Sequence, residues 1–69
     1  MSASRFRDRE QARAEAERKA RAGGHDHFVK PTAYGYLVCG WVPTKSKFGR
    51  VEVFHCDGKA EWVSVRHLR

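Results

Sequence analysis

Hydrophobic and polar residues follow two different patterns along this chain, and the pattern changes at Gly23 and Gly24. Residues 1–22 hold mainly charged side chains and alanines, and Phe6 is their only aromatic residue. The other seven aromatic residues and every Val and Leu come after Gly23. We therefore expect two segments: a charged segment with its glycine hinge at 1–24, and a small β domain at 25–69.

The first segment has the composition of a helix. Residues 5–22 contain no Pro, Gly or β-branched residue, and Ala, Arg and Glu are good helix formers. Ser4 is a suitable N-cap, and Gly23 is suited to the left-handed conformation that ends many helices. The sequence therefore predicts one helix of about four to five turns between these two residues.

A strip of small side chains follows one face of this predicted helix. Ala12, Ala16 and Ala20 are four residues apart, a spacing that places them on the same face. Without large apolar residues, an isolated helix of this length is marginal in water. Three surroundings remain open for the helix: solvent, the rest of the protein, or a partner.

The second segment has the composition of β-strands. Residues 34–42, 51–56 and 60–65 are rich in aromatic and β-branched residues, and Asp57-Gly58 is a strong hairpin signal between the last two runs. Phe28 and Val29, before Pro31, predict a short edge strand. The fold expected is α+β: an N-terminal basic helix followed by a three- to five-stranded antiparallel meander that forms a small barrel or a curled sheet.

The charge balance points to an anionic partner. Fourteen Lys and Arg face eight Asp and Glu among 69 residues, which gives a formal net charge of +6 and a pI near 9.9. Nucleic acid is the commonest polyanion that such a small basic chain binds. No run approaches the ~18 apolar residues of a membrane span, and no secretory signal is recognisable. We expect a cytoplasmic protein with no membrane partner.

Residues 35–41, the run 49–54 and the closing segment 62–69, with its Trp-Val-x-Val-x-x-Leu-Arg pattern, together resemble a Src-homology-3-like small barrel. Barrels of this type occur in Tudor, KOW and retroelement integrase C-terminal domains. The resemblance covers about residues 34–69. It implies a face lined with aromatic residues that binds nucleic acid or a peptide segment.

The leading hypothesis is a small non-enzymatic module that binds nucleic acid mainly through phosphates. Its base-stacking candidates are Tyr34 and Tyr36, because aromatic rings beside cations bind single strands. Trp41 and Phe54 are also candidates by residue type, with a position in the core as the alternative, whereas we expect Trp62 to be a core residue. The cations predicted to contact phosphates are Lys45, Lys47, Arg50, Arg66 and Arg69.

The alternative is a protein-interaction module. In this case the chain is a small regulator or inhibitor, of the sort that phages and mobile elements encode, and it docks on a nucleic-acid-handling protein. Its partner-binding residues would then be Arg5, Arg9 and Arg13, or an open strand edge would provide the contact.

Neither catalysis nor a cofactor is predicted. No pair of carboxylates, activated nucleophile or glycine-rich phosphate loop is recognisable. The histidines and cysteines lack the C-x-x-C spacing of structural zinc sites, so we expect no metal site. A disulfide between Cys39 and Cys56 is not expected, because strand pairing across residues 43–48 would place the two cysteines too far apart.

Overall fold

The structure is a computed structural model that describes residues 3–43 and 49–65. One helix lies among five strands, and every strand pairing is antiparallel, so the α+β prediction is confirmed. In chain order the elements are β1 (Ser4–Phe6), α1 (Arg9–Gly23), β2 (His27–Thr32), β3 (Gly35–Cys39), β4 (Arg50–Phe54) and β5 (Ala60–Ser64). Within these described ranges, no helix is long and apolar enough to cross a membrane.

The helix begins later than the composition predicts. Ser4 is not the N-cap; it lies in β1, opposite Val38 of β3. The N-cap is Asp8, whose carboxylate accepts a hydrogen bond of 2.9 Å from the Glu10 backbone N–H. Asp caps a helix as well as Ser does, so strand pairing with β3 decides between the two positions.

The end of the helix is shifted by one residue. Gly23 is still helical, and Gly24 is the residue in the left-handed conformation, with φ at 71°. The Gly24 N–H donates to the Ala20 carbonyl at 3.0 Å. This bond satisfies one carbonyl at the helix end.

The order of the strands in the sheet is β1-β3-β2-β4-β5. The prediction that β3 and β4 pair directly is wrong, because β2 lies between them. The predicted hairpin between β4 and β5 is confirmed: Asp57-Gly58 lies in the connecting turn, which the His55 N–H closes on the Lys59 carbonyl. Within the described residues, β1 and β5 form two open edges, and the sheet is not closed into a barrel.

The run that begins with Phe28 forms a central strand, not a short edge strand. It pairs with β3 from Phe28 to Thr32, but with β4 only from His27 to Val29. Pro31 therefore lies where β2 has one unpaired side, a position that tolerates the missing backbone N–H. The sequence predicted an edge strand from the residues around Pro31 alone. The second neighbour of β2 is β4, whose paired residues come more than twenty positions later in the chain, so no local pattern indicates it.

The helix packs across one face of the sheet. Of the three surroundings considered for the helix, the structure therefore shows the rest of the protein. Ala12, Ala16 and Ala20 are each 0% exposed and contact the sheet. Because these side chains are small, the helix axis can approach the sheet closely. Their partners in this core are Val29, Val38 and Phe54, with Phe6 and Tyr36 packed at its border.

A second cluster forms on the opposite face of the sheet. Phe28, Val51 and Val53 are buried there together with Cys39 and Val65. Cys39 is buried and Cys56 is exposed, and both thiols are free. Both faces of this small sheet therefore contribute to the core.

Candidate nucleic-acid interface

The two predicted tyrosines have different surroundings. Tyr34 lies in the two-residue turn between β2 and β3 and is 92% exposed. Gly35 makes this turn possible, because its φ is 140° and a Cβ there would collide with the Phe6 carbonyl oxygen. Tyr36 lies in β3, partly buried against the helix–sheet core. Only Tyr34 therefore offers most of its ring to a ligand.

An open cavity of about 410 Å³ lies at the tip of this hairpin, where β1 also ends. Its lining includes both tyrosines together with Phe6, Arg5 and Lys30. We call this the hairpin-tip cavity. It brings aromatic rings and cations together, as the sequence hypothesis requires, although Arg5 was assigned to the alternative hypothesis and Lys30 to neither.

The sheet register explains why the two cations of the cavity are close together. Leu37 of β3 is opposite Arg5 on one side and opposite Lys30 on the other. Residues that are opposite one another point to the same face, so both cations lie beside Leu37, two strand spacings or ~10 Å apart. Among residues 3–43 and 49–65, neither cation has an ion-pair partner.

Arg9 and Arg13 contact the sheet rather than extending into solvent. Arg13 Nε lies 3.2 Å from Glu52 Oε1, and Arg9 Nη2 lies 3.7 Å from the same oxygen. The Glu52 side chain is 5% exposed, so it is a buried carboxylate whose single negative charge attracts both arginines. Their predicted role in partner binding remains a prediction, but both have a structural role within the chain.

Trp62 is not the core residue that the sequence predicts. It is 44% exposed on β5, an edge strand, and its ring lies beside two guanidinium groups. The Arg9 Cζ is 5.4 Å from the ring centroid and the Arg50 Cζ is 5.7 Å from it. Of the two residues for which binding and a core position were both open, Trp41 is 45% exposed and Phe54 is buried in the core.

Four of the predicted phosphate contacts fall outside the part of the chain that the structure describes: Lys45, Lys47, Arg66 and Arg69. Arg50 is within the described part, at the start of β4, and is exposed.

Sequence analysis missed Lys30 and Trp62. For Lys30 no local signal exists, because its position near Arg5 depends on the pairing of three strands. For Trp62, the sequence offered one signal of exposure: the residue lies in the last predicted strand of the chain, and a last strand can form the edge of a sheet.

A second cavity, of about 540 Å³, lies at the C-terminal end of the helix. Its lining includes His25, His27, Cys39 and Trp41. The two histidine rings stack at a centroid distance of 4.7 Å. Burial raises the pKa of the Cys39 thiol, which disfavours a reactive thiolate. No three metal-ligating side chains converge here or elsewhere in the described part of the chain.

His55 joins the start of β2 to the β4–β5 hairpin. Its Nδ1 lies 3.1 Å from Asp26 Oδ1, and its Nε2 lies 3.2 Å from Glu61 Oε2. The hydrogen bond with Asp26 raises the pKa of His55, Glu61 adds to the effect, and burial opposes it. The two carboxylates thus favour the charged imidazolium.

This contact predicts a pH-dependent stability. Because the folded-state pKa of His55 is raised, its contribution is fully present below the ordinary histidine pKa of 6.5 and is lost as the pH rises through the raised value. We expect His55→Gln to lower the melting temperature at a pH below 6.5 and to have a smaller effect at alkaline pH. Thermal melts of both proteins from acidic to alkaline pH measure this difference in melting temperature.

The matched control is His25→Gln, because the His25 ring contacts a backbone carbonyl and not a carboxylate. Equal destabilisation by His55→Gln at acidic and alkaline pH would contradict the electrostatic role of His55.

No protein-family model, curated protein or solved structure matches this chain. The resemblance to Src-homology-3-like small barrels therefore stays a prediction, and the functional conclusion depends on the residues of the site.

Proposed function

We propose that this protein is a small non-enzymatic module that binds nucleic acid, with phosphates as its main contacts. The observation that supports the proposal best is the hairpin-tip cavity, where Arg5 and Lys30 lie beside the exposed Tyr34. Two cations without ion pairs in the described residues are available to phosphates, and a tyrosine ring at 92% exposure is available to a base.

The overall charge supports the same proposal. A surplus of six positive charges on 69 residues attracts a polyanion from any direction. Phosphate contacts by Lys and Arg release counterions, so affinity falls steeply with salt. General attraction and a local site can therefore be separated by comparing variants of equal net charge.

The test is fluorescence anisotropy of a labelled random-sequence oligonucleotide, titrated with the protein at several salt concentrations. We expect log affinity to fall linearly with log salt. If Arg5 and Lys30 each neutralise one phosphate, the Arg5→Gln/Lys30→Gln variant should reduce the slope by about 1.4 on a single strand, or by about 1.8 on duplex. Tyr34→Ala should lower affinity and leave the slope nearly unchanged.

The matched control removes two cations from elsewhere on the surface. Arg18 lies on the exposed side of the helix, and Lys59 lies in the β4–β5 hairpin at the other end of the sheet. The Arg18→Gln/Lys59→Gln variant has the same net charge as the site variant and should retain more affinity. Equal losses would contradict a local site. Absence of binding even at low salt would contradict the function and favour a protein partner.

A further inference from the structure

The proposed function does not use the cavity at the C-terminal end of the helix, which we call the helix-end cavity. Its volume of about 540 Å³ is in the ~300–1,000 Å³ range of small-molecule sites. Three segments line it: the end of the helix, the two histidines His25 and His27, and residues 38–41 at the end of β3. Each segment contributes a different kind of surface to the cavity.

Each of the two histidines has one ring nitrogen with a partner and one without. His25 Nδ1 lies 3.1 Å from the Asp26 carbonyl oxygen, and His27 Nδ1 lies 3.2 Å from the His25 carbonyl oxygen. A carbonyl oxygen only accepts, so each Nδ1 donates its proton, and each Nε2 has a lone pair in the neutral ring. Within residues 3–43 and 49–65, neither Nε2 has a hydrogen-bond partner. The cavity therefore contains two unused hydrogen-bond acceptors.

Both acceptors border the same space beside Gly23. The two rings stack with their centroids 4.7 Å apart. A Cβ on Gly23 would lie 3.4 Å from His25 Nε2 and 3.7 Å from His27 Cε1, the ring carbon bonded to Nε2. Only 7% of His27 is exposed, but its Nε2 is not one of the fully buried polar atoms of the described residues. Because Gly23 has no side chain, a ligand can approach both nitrogens from the cavity.

Trp41 gives the helix-end cavity an aromatic surface. This residue is 45% exposed, and the Cys39 thiol donates to its carbonyl oxygen at 3.5 Å, which restricts the backbone beside the cavity. Lys19 also lines the cavity, but its Nζ already lies 3.0 Å from Ser4 Oγ and 3.3 Å from Glu15 Oε2. The cavity thus favours a planar aromatic ligand with hydrogen-bond donors, and a negative charge on the ligand is not required.

We infer that the helix-end cavity binds one aminated nucleobase, whose ring stacks on Trp41 and whose amino group donates to Nε2 of His25 and His27. Adenine and cytosine each have an amino group at the edge of a planar ring, and its two hydrogens match the two acceptors. Thymine has a carbonyl oxygen at the corresponding edge, which two lone pairs repel. The inference goes beyond the proposed function, because the base can belong to a free nucleoside or to a nucleic acid strand.

The first experiment compares two ligands that differ only in the amino group, adenosine and purine riboside. In Trp62→Phe all tryptophan fluorescence comes from Trp41, because the chain has two tryptophans. At mildly alkaline pH, which favours neutral histidine, adenosine should quench this emission to saturation. It should bind more tightly than purine riboside by roughly 2- to 12-fold for each hydrogen bond that the amino group makes.

The second experiment fills the space beside the two ring nitrogens. Gly23 is helical, and a methyl group there makes only ordinary van der Waals contacts with the two imidazoles. Since Ala is also the better helix former, Gly23→Ala should be at least as stable as the parent. Its affinity for adenosine should fall about tenfold or more, because the methyl group occupies the position of the amino group. The matched control is Glu17→Ala on the outer face of the same helix, which should bind as the parent does.

Equilibrium dialysis with labelled adenosine tests the stacking contact without fluorescence. Trp41→Leu should lower the affinity roughly 5- to 150-fold, the effect of stacking on one aromatic ring. Trp62→Leu is the matched control, because Trp62 is 44% exposed and does not line the cavity. The same titrations with oligo-dA identify the source of the base. If Gly23→Ala weakens oligo-dA as much as adenosine, the base comes from a strand; if it weakens adenosine alone, the ligand is a free nucleoside.

Three results would overturn the inference. The first is equal affinity for adenosine and purine riboside, and the second is the absence of saturable quenching by adenosine. The third is a folded Gly23→Ala protein that binds adenosine as tightly as the parent does. None of these results affects the proposed function, which is tested at the hairpin-tip cavity through Arg5, Lys30 and Tyr34.

Discussion

Ala16→Glu is expected to unfold the protein. Ala16 is 0% exposed at the centre of the alanine strip, between the helix and the sheet. A glutamate there would place several extra atoms and an unpaired charge in a closely packed contact, at a cost of about 4 kcal/mol or more. A chain of 69 residues has a total stability of roughly 3–10 kcal/mol, so little or none would remain. Circular dichroism and amide NMR dispersion measure the loss.

The control for this prediction is Ala14→Glu. Ala14 lies on the same helix but is exposed, and Glu is nearly as good a helix former as Ala. We expect this variant to keep the native spectrum and a melting temperature close to that of the parent. A folded Ala16→Glu protein with an unchanged melting temperature would mean that the helix is not docked on the sheet in solution.

Glu52→Ala is expected to destabilise the fold by about 2 kcal/mol. Glu52 is the buried carboxylate of β4 that attracts two arginines of the helix, and its loss leaves Arg9 and Arg13, two like charges four residues apart, without this partner. Removing one partner of a buried pair costs ~3–5 kcal/mol. The effect should be smaller here, because the Arg9 and Arg13 side chains are 42% and 35% exposed and can turn towards water. Urea unfolding measures the difference.

Glu17→Ala is the matched deletion of a carboxylate. Glu17 pairs with Arg21 at 3.2 Å on the outer face of the helix, and its side chain is 48% exposed. Exposed ion pairs contribute little, so this change should lower stability by no more than ~0.5 kcal/mol. If the two variants were equally stable, the contact between Glu52 and the arginines would have no stabilising role.

The candidate site was only partly predictable. Tyr34 was identified by its residue type, and the structure places it at an exposed turn, where its ring is accessible to a base. Tyr36, two residues later, has the same type and shares Gly35 as a neighbour in sequence, but it packs against the helix–sheet core. The difference arises because Tyr34 lies in the turn before β3, whereas Tyr36 lies within β3 on the face that the helix covers. The position of the helix is not encoded in the local pattern around either tyrosine.

Lys30 and Trp62 show the same limit in two other ways. Lys30 lies near Arg5 because both are paired with Leu37 of β3, which lies between their strands, although the two residues are 25 positions apart in the sequence. Trp62 has the composition of a core residue, since large apolar side chains are usually buried. It is exposed because β5 is the last strand of an open sheet and the helix does not cover it.

By itself, the sequence determined the α+β class, the extent of the helix to within a few residues at its end, three of the five strands, and the turn at Asp57-Gly58. These features depend on the propensities and spacing of neighbouring residues. Only the tertiary structure decided that β1 replaces the predicted first helical turn, that β2 is central, and that the alanine strip packs on the sheet. Each of these depends on contacts between distant segments, whose free energy comes from the surfaces that are buried together.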